Sequence, residues 1–143
     1  MQVFIIGTPL ETARALDARR LNKQIIECRQ ILDAIESRSQ AWKNHPCVRQ
    51  YQQHKEWLRL YYNCLNAYRR KGFYACAKYS SRLALAYTPD FHTKEYFDQM
   101  KRRLYTKDPQ RYAGWSHLGT SKTNWYFVDG SWKYYKNGKL IKQ

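Results

Sequence analysis

The stretch Thr8–Glu36, TPLETARALDARRLNKQIIECRQILDAIE, decides the fold. Thr8 and Glu11 form a capping box, and Pro9 suits the first position of a helix. Because no glycine or proline follows until Pro46, the pattern predicts one long helix over the whole stretch. Its buried side is marked by apolar residues three and four positions apart, namely Leu21, Ile25, Cys28, Leu32 and Ile35.

A polar stripe lies beside that apolar side. At about 100° per residue, Asp17, Arg20, Gln24 and Glu27 fall within roughly a quarter-turn of one another, and Lys23 is adjacent. One interpretation is a solvated face on which ion pairs form between residues three and four positions apart. The other is a functional site on a rigid helix at the edge of the core. The stripe alone leaves both interpretations open.

Further helices are predicted after this stretch. Pro46 suits a helix start and Gly72 a helix end, which predicts a second helix of about 25 residues. Two long helices of matched length predict an antiparallel pair. Residues 74–87 are ambiguous between a short helix and an aromatic loop, whereas Thr93–Thr106 predicts a third helix capped by Thr93.

The two ends of the chain have a different character. Residues 2–6 predict a short strand or an extended arm. Near the other end, aromatic segments flank Asp129-Gly130, a pair typical of a type I′ hairpin, and Asn137-Gly138 offers a second turn of that kind.

The sequence therefore predicts a mainly α fold in a single domain over residues 1–143. We expect a small helical bundle of two long and one or two shorter helices, a short N-terminal strand or arm, and a C-terminal β-hairpin. The helical body spans residues 1–115, and the aromatic tail spans residues 120–143.

Charge is the clearest global property. Lysine and arginine number 26 against 11 acidic residues, for a net charge of +15, and 13 tyrosines and 5 tryptophans accompany them. This combination indicates a polyanion with stackable bases, hence nucleic acid. An anionic membrane surface would require a cleaner split between basic and apolar faces, and no apolar stretch of about 18 residues exists to span a membrane.

Neither a metal nor another cofactor is expected. The four histidines lack paired ligand spacing. The four cysteines form no C-x-x-C motif, so we expect reduced thiols that serve as small apolar residues in a cytosolic protein.

Four motifs follow one another along residues 1–115. They are Leu16-Asp17-x-x-Arg20-Leu21-x-Lys23-Gln24-x-x-Glu27, Trp42-x-Asn44-His45-Pro46, Arg70-Lys71-Gly72 and Arg103-Leu104-x-x-Lys107-x-Pro109-x-x-Tyr112. In these motifs the chain resembles the pyrimidine-dimer DNA glycosylase family of the phage endonuclease V type, and more closely its uncharacterised bacterial and phage relatives.

The resemblance implies a helical domain that bends DNA and flips a nucleotide out of the stack. An amine attacks the sugar C1′ to give an imine, and the essential glutamate of the family corresponds to Glu27. A carboxylate at that position can stabilise an oxocarbenium-like transition state. The nucleophile stays open between the Met1 α-amine, Lys23 and water, although Lys23 also fits a role as an ion-pair member.

The resemblance also makes Arg103 and Lys107 phosphate ligands. The other candidate DNA-binding residues are Arg19, Arg20, Gln24, Asn44, His45 and Tyr112. His45 precedes Pro46 at a helix start, which suits a cap, but it could instead contact phosphate or relay a proton. The expected partner is double-stranded DNA, damaged or modified, bound by a monomer in the cytoplasm of a bacterium or a phage-infected host.

The leading hypothesis is therefore a base-excision DNA glycosylase with possible AP-lyase activity. The alternative is a non-catalytic basic protein that binds DNA or RNA with the same fold. A metal-free nuclease or nucleotide-processing enzyme is a third option.

Overall fold

The structure is a computed structural model that describes residues 2–83, 88–121, 125–136 and 139–142. Helices precede a small sheet along the chain. The elements are α1 (Pro9–Ala15), α2 (Ala18–Ile35), α3 (Pro46–Tyr51), α4 (Lys55–Lys71), α5 (Phe73–Leu83), α6 (Lys94–Lys107), a 3-10 helix (Ala113–Leu118), β1 (Trp125–Val128), β2 (Ser131–Lys136) and β3 (Lys139–Lys142). The prediction of a mainly α fold is confirmed.

The first predicted helix is in fact two helices, so the prediction of one unbroken helix is wrong. Thr8 caps α1 as expected, because its hydroxyl accepts from the backbone N–H of Glu11 at 3.1 Å. The chain then becomes extended at Leu16 and Asp17, where ψ is 134° and 164°, before α2 begins. The Tyr112 hydroxyl bonds the Asp17 side chain from a distant part of the sequence. This tertiary contact accompanies a break that no local glycine or proline signals.

The second predicted helix is also divided, into α3 and α4, with a turn over residues 52–54. On one straight helix, Tyr51 and Trp57 would point about 120° apart. The turn instead brings both rings into the core, where they stack with centroids 6.0 Å apart. The gain from burying two large aromatic side chains accounts for the break.

Of the ambiguous segment 74–87, the part up to Leu83 belongs to helix α5, and residues 84–87 lie outside the described residues. Gly72 has φ +85°, a conformation that favours glycine, and it lets α5 turn back and pack on α4. A disulfide joins Cys64 of α4 to Cys76 of α5. The expectation that all cysteines are reduced is therefore wrong for this pair, while Cys28 and Cys47 are buried outside it.

The two long helices α2 and α4 pack in antiparallel directions, as predicted. Arg69 near the end of α4 donates to the Asn22 side chain near the start of α2 at 3.3 Å. At the opposite end of the pair, Arg59 bonds the Glu36 carboxylate directly after α2. The third predicted helix is confirmed as α6, whose cap is Thr93.

The N-terminal arm over residues 2–6 is extended and buried, but it pairs with no strand of the described chain. Val3 and Ile5 are completely buried. Side chains form hydrogen bonds with the backbone groups of the arm. The Gln24 amide accepts from the Phe4 N–H and donates to the Gln2 carbonyl. The Tyr61 hydroxyl donates to the Phe4 carbonyl, and the Thr12 hydroxyl accepts from the Ile6 N–H. Side chains of α1, α2 and α4 therefore hold the arm in the core.

The C-terminal strands form an antiparallel sheet in the order β1-β2-β3. Asp129 and Gly130 have φ of 52° and 85°, which agrees with the predicted type I′ turn. The expected second turn at Asn137-Gly138 lies outside the described residues. In the described part of the chain, no helix is long and apolar enough to cross a membrane.

Candidate active site and nucleic-acid interface

The centre of the candidate site is Glu27 on α2. Its side chain lies at the edge of the core, and the residue is only 9% exposed. The amide nitrogen of Gln24 donates to Glu27 Oε2 at 3.3 Å and to the Gln2 carbonyl at 2.7 Å. The backbone N–H of Gln2 donates to the Glu27 carboxylate as well. Glu27 is thus fixed against the beginning of the chain.

Burial raises the pKa of Glu27 above its usual range. The N–H of Gln2 and the positive charges of Lys23 and Lys107 act on this pKa in the opposite direction. The carboxylate is therefore desolvated, yet cations and a hydrogen-bond donor face it. Such a group can stabilise a positive charge that develops next to it.

The predicted nucleophile Met1 lies outside the described residues. The next residue, Gln2, is described, and its backbone nitrogen donates to the Glu27 carboxylate.

Lys23 and Lys107 lie near Glu27, and Arg20 lies near Lys107. Partial burial and the neighbouring charges of Lys23 and Arg20 lower the pKa of Lys107. Lys23 and Lys107 are exposed, so they can reach a ligand in solvent. The structure thus brings Lys23, Glu27 and Lys107 together, although α2 and α6 are distant in sequence.

Arg20 is held by carboxylates. Its Nη1 lies 3.1 Å from Asp17 Oδ1 and 3.4 Å from Asp108 Oδ2, and its guanidinium packs over the Tyr112 ring. The Tyr112 hydroxyl donates to Asp17 Oδ1 at 2.9 Å. The ion-pair interpretation of the polar stripe is therefore correct for Asp17 and Arg20. Gln24 and Glu27 lie at the core edge, where a functional site stays a prediction.

His45 caps α3, one of the two roles that the sequence left open. Its Nδ1 accepts from the backbone N–H of Cys47 at 3.1 Å, which assigns the proton of the neutral ring to Nε2. Burial lowers the pKa of His45 to about 4, so the ring is neutral near pH 7. It packs edge-on against Trp42 and Tyr126, with centroids 5.8 and 5.7 Å away. Trp42 is 48% exposed beside it.

Three of the predicted DNA-binding residues are buried, and for these the expectation of surface contact needs correction. Gln24 is 1% exposed because its amide anchors the arm, and Tyr112 is 5% exposed because its ring stacks on Trp115. Arg103 is 3% exposed. By contrast, Arg19 and Asn44 are exposed as expected.

The burial of Arg103 indicates a role in holding β1 against α6. Its Nη2 donates to the Trp125 carbonyl, and its guanidinium lies over the Tyr126 ring at 5.5 Å. Its Nε and Nη1 are buried, and no described residue offers them a hydrogen-bond partner. Burial also lowers the pKa of Arg103. The guanidinium therefore packs the tail onto the body and is not presented to an external phosphate.

A pair of variants separates packing from binding on α6. Arg103→Ala should lower the free energy of unfolding by about 2 kcal/mol, because it removes buried contacts with β1. Lys107→Ala should leave the melting temperature unchanged and weaken DNA binding, because this exposed cation faces solvent. Thermal denaturation and a DNA-binding titration on both variants check this. A stable Arg103→Ala protein with weakened binding would restore Arg103 as a phosphate ligand.

Two contributors to the site were not predicted from the sequence. The Tyr61 hydroxyl donates to the Phe4 carbonyl at 2.7 Å and lies 3.5 Å from Gln24 Oε1, so it supports the amide that holds Glu27. Asp108 binds Arg20. A tyrosine at helical spacing and an Asp-Pro pair indicate only a core position and a helix end, so neither pattern reveals these partners.

A comparison with protein families identifies the family of the chain. The sequence model that describes the pyrimidine dimer DNA glycosylases matches residues 1–75. This span covers more than half of the chain and contains the arm, Glu27 and His45. The chain belongs to the pyrimidine dimer DNA glycosylase family. No curated protein and no solved structure matches it. As the family is one of DNA glycosylases, DNA is the substrate that membership implies.

Proposed function

We propose that the protein is a DNA glycosylase that flips a damaged or modified nucleotide out of double-stranded DNA and removes its base, with an associated AP-lyase step. The observation that carries the proposal is the Glu27 carboxylate, buried at the core edge and bound by Gln24 and the N–H of Gln2. Membership in the pyrimidine dimer DNA glycosylase family supports it. The high positive charge supports binding to duplex DNA.

The chemistry that we propose begins with attack of an unprotonated amine on the sugar C1′. The C1′–N bond to the base breaks, and its electron pair leaves with the base, which takes up a proton. Positive charge develops at C1′ as this bond breaks, and Glu27 stabilises it electrostatically. The adduct nitrogen then loses a proton and forms the C1′=N bond of an imine as the C1′–O4′ bond breaks, and O4′ takes the electron pair of that bond together with a proton. Removal of a C2′ proton then expels the 3′ phosphate, which is the lyase step.

We propose the Met1 α-amine as the nucleophile. Its covalent neighbour Gln2 is bound to Glu27, and an α-amine has an ordinary pKa near 8 against about 10.4 for lysine. More of it is therefore unprotonated at neutral pH. Lys23 is the competing candidate, because it is exposed one turn of α2 away from Glu27. Attack by water would give a glycosylase without lyase activity.

The proposed DNA contacts combine cations with neutral hydrogen-bond donors. Arg19, Lys23 and Lys107 are exposed cations that suit phosphates. The Nε2–H of the neutral His45 ring and the amide of exposed Asn44 can donate to phosphate or to a base. We also propose that the protein acts as a monomer in the cytoplasm of a bacterium or a phage-infected host.

The test is incubation with a panel of duplexes that carry pyrimidine dimers, other lesions or modified bases, followed by borohydride reduction. We expect base release from at least one duplex and a covalent complex after reduction. Base release without a covalent complex would assign the reaction to water and remove the lyase step. Tight binding with no release from any duplex would favour the non-catalytic binding protein.

A further inference from the structure

We propose that the groove between α4 and α5 is a second DNA-binding site, which holds the phosphate backbone of the duplex that flanks the target nucleotide. This inference rests on the proposed DNA substrate but not on the proposed chemistry. The groove is separate from Glu27 and contains none of the residues that the motifs assigned to DNA contact.

The side chains that line the groove suit a polyanion. Four of them are cations, and two are amides that can donate hydrogen bonds: Arg69, Arg70, Lys71, Lys78, Asn63 and Asn66. Among the described residues that line the groove there is no carboxylate. Backbone phosphates are the ligands that arginine, lysine and asparagine contact most often in DNA complexes.

Arg69 is held in position by hydrogen bonds to uncharged partners. Its Nη1 donates to Asn22 Oδ1 at 3.3 Å, and its Nη2 donates to Asn66 Oδ1 at 3.2 Å. Both partners are neutral amide oxygens. Arg20 and Arg59, by contrast, bond carboxylates that neutralise them. The guanidinium of Arg69 is thus held in place, and no carboxylate of the described residues pairs with it, so its charge is available to a phosphate.

The walls of the groove are fixed to each other. The Cys64–Cys76 disulfide links α4 to α5 on the buried side, and Gly72 provides the tight turn between them. Because the walls are already held in position, binding a phosphate backbone costs little ordering of the protein.

The groove leads away from the candidate active site. Asn22, which contacts Arg69, precedes Lys23 on α2 and lies five residues before Glu27. Five residues of helix rise about 7.5 Å, which is about two base-pair steps of duplex. Asn22 and Glu27 also point about 140° apart around α2, so a backbone bound at Glu27 has to bend around α2, over Asn22, to enter the groove. The phosphates held there would lie two or more nucleotides from the flipped one.

The experiment compares the double variant Arg70→Gln/Lys71→Gln with the matched control Lys55→Gln/Lys139→Gln. All four residues are exposed, and each double variant removes two positive charges. Lys55 begins α4, at the end opposite the groove. Affinity is measured at several salt concentrations for a long duplex with a central abasic-site analogue and for a short one that ends near the analogue.

We expect the groove variant to bind the long duplex about tenfold more weakly than the wild type. The slope of log affinity against log salt concentration should decrease in magnitude by about two. The groove variant should lose less affinity for the short duplex than for the long one. The affinities of the control variant should stay within about twofold of those of the wild type. The single variant Lys78→Gln, on the other wall, should reduce the slope by about one.

Equal affinities for the wild type and the groove variant, or equal losses in groove variant and control, would overturn the second site. The proposed function has a separate readout, because single-turnover base release with saturating DNA does not depend on the groove. Absence of base release from wild-type protein that retains the groove-dependent affinity would contradict the glycosylase and leave the second site standing.

Discussion

Glu27→Gln should lower the single-turnover rate of base release by about 10³ or more, while DNA binding stays unchanged or becomes tighter. The substitution keeps the shape of the side chain and its hydrogen bond to Gln24, but removes the charge that stabilises C1′. It also removes a negative charge next to phosphates. The matched control is Glu56→Gln, which removes an exposed carboxylate from the first turn of α4 and should leave the rate unchanged.

A purely structural role for Glu27 leads to the opposite pattern. If the carboxylate only balances Lys23 and Lys107, the variant should melt at a lower temperature and lose activity in proportion to its unfolded fraction. Melting and single-turnover rate must therefore be measured on the same preparation. A stable and fully active Glu27→Gln protein would remove Glu27 from the chemistry.

The raised pKa of Glu27 adds a pH signature to this prediction. Its ionised form is lost at a higher pH than that of an ordinary glutamate. Protonation of the proposed α-amine nucleophile already lowers the rate below about pH 8. Loss of the Glu27 charge should therefore steepen the acid limb of the wild-type rate at a pH above the usual range of glutamate, and Glu27→Gln should lack this added steepness.

Acetylation of the Met1 α-amine should abolish the borohydride-trapped complex, with a loss of at least about 10² in trapping rate, because an acetylated nitrogen cannot form an imine. Acetylation near neutral pH favours the α-amine over lysines, whose pKa values are higher. Lys23→Met is the companion variant and should still be trapped, with weakened DNA binding. Mass spectrometry of the trapped peptide identifies the bonded residue directly.

Other outcomes assign the nucleophile differently. Trapping that survives acetylation and is lost in Lys23→Met would make Lys23 the nucleophile. Trapping that survives both changes would exclude both amines from the imine and contradict the assignment to Met1.

Local sequence patterns predicted the helices better than their breaks. Capping residues and apolar spacing act over three or four positions, so the start of α1 and the bounds of α6 could be predicted. The breaks at Asp17 and near His54 accompany contacts between distant residues, such as Tyr112 with Asp17. A single sequence contains no local signal for contacts of this kind.

The same distinction applies to the candidate site. Helical periodicity placed Gln24 and Glu27 on one flank of α2, and the structure keeps them 3.3 Å apart. Periodicity could not show that Gln24 binds the N-terminal arm or that Arg103 is buried against the Tyr126 ring. Because lysine and arginine are seldom fully buried, the sequence alone predicted an exposed position for Arg103. The disulfide was missed because Cys64 and Cys76 are separated by 12 residues and meet only when α5 folds back on α4.

The buried arm couples the order of the first residues to the core. Its backbone is held by the side chains of Thr12, Gln24 and Tyr61, which belong to three different helices. Release of the arm would leave these buried polar groups unpaired, at a cost shared by all three helices. Any ligand that tightens the contact between Gln2 and Glu27 therefore raises the stability of the whole domain by thermodynamic linkage. In this molecule, a substrate that binds at Glu27 and holds the arm in place should therefore also raise the free energy of unfolding.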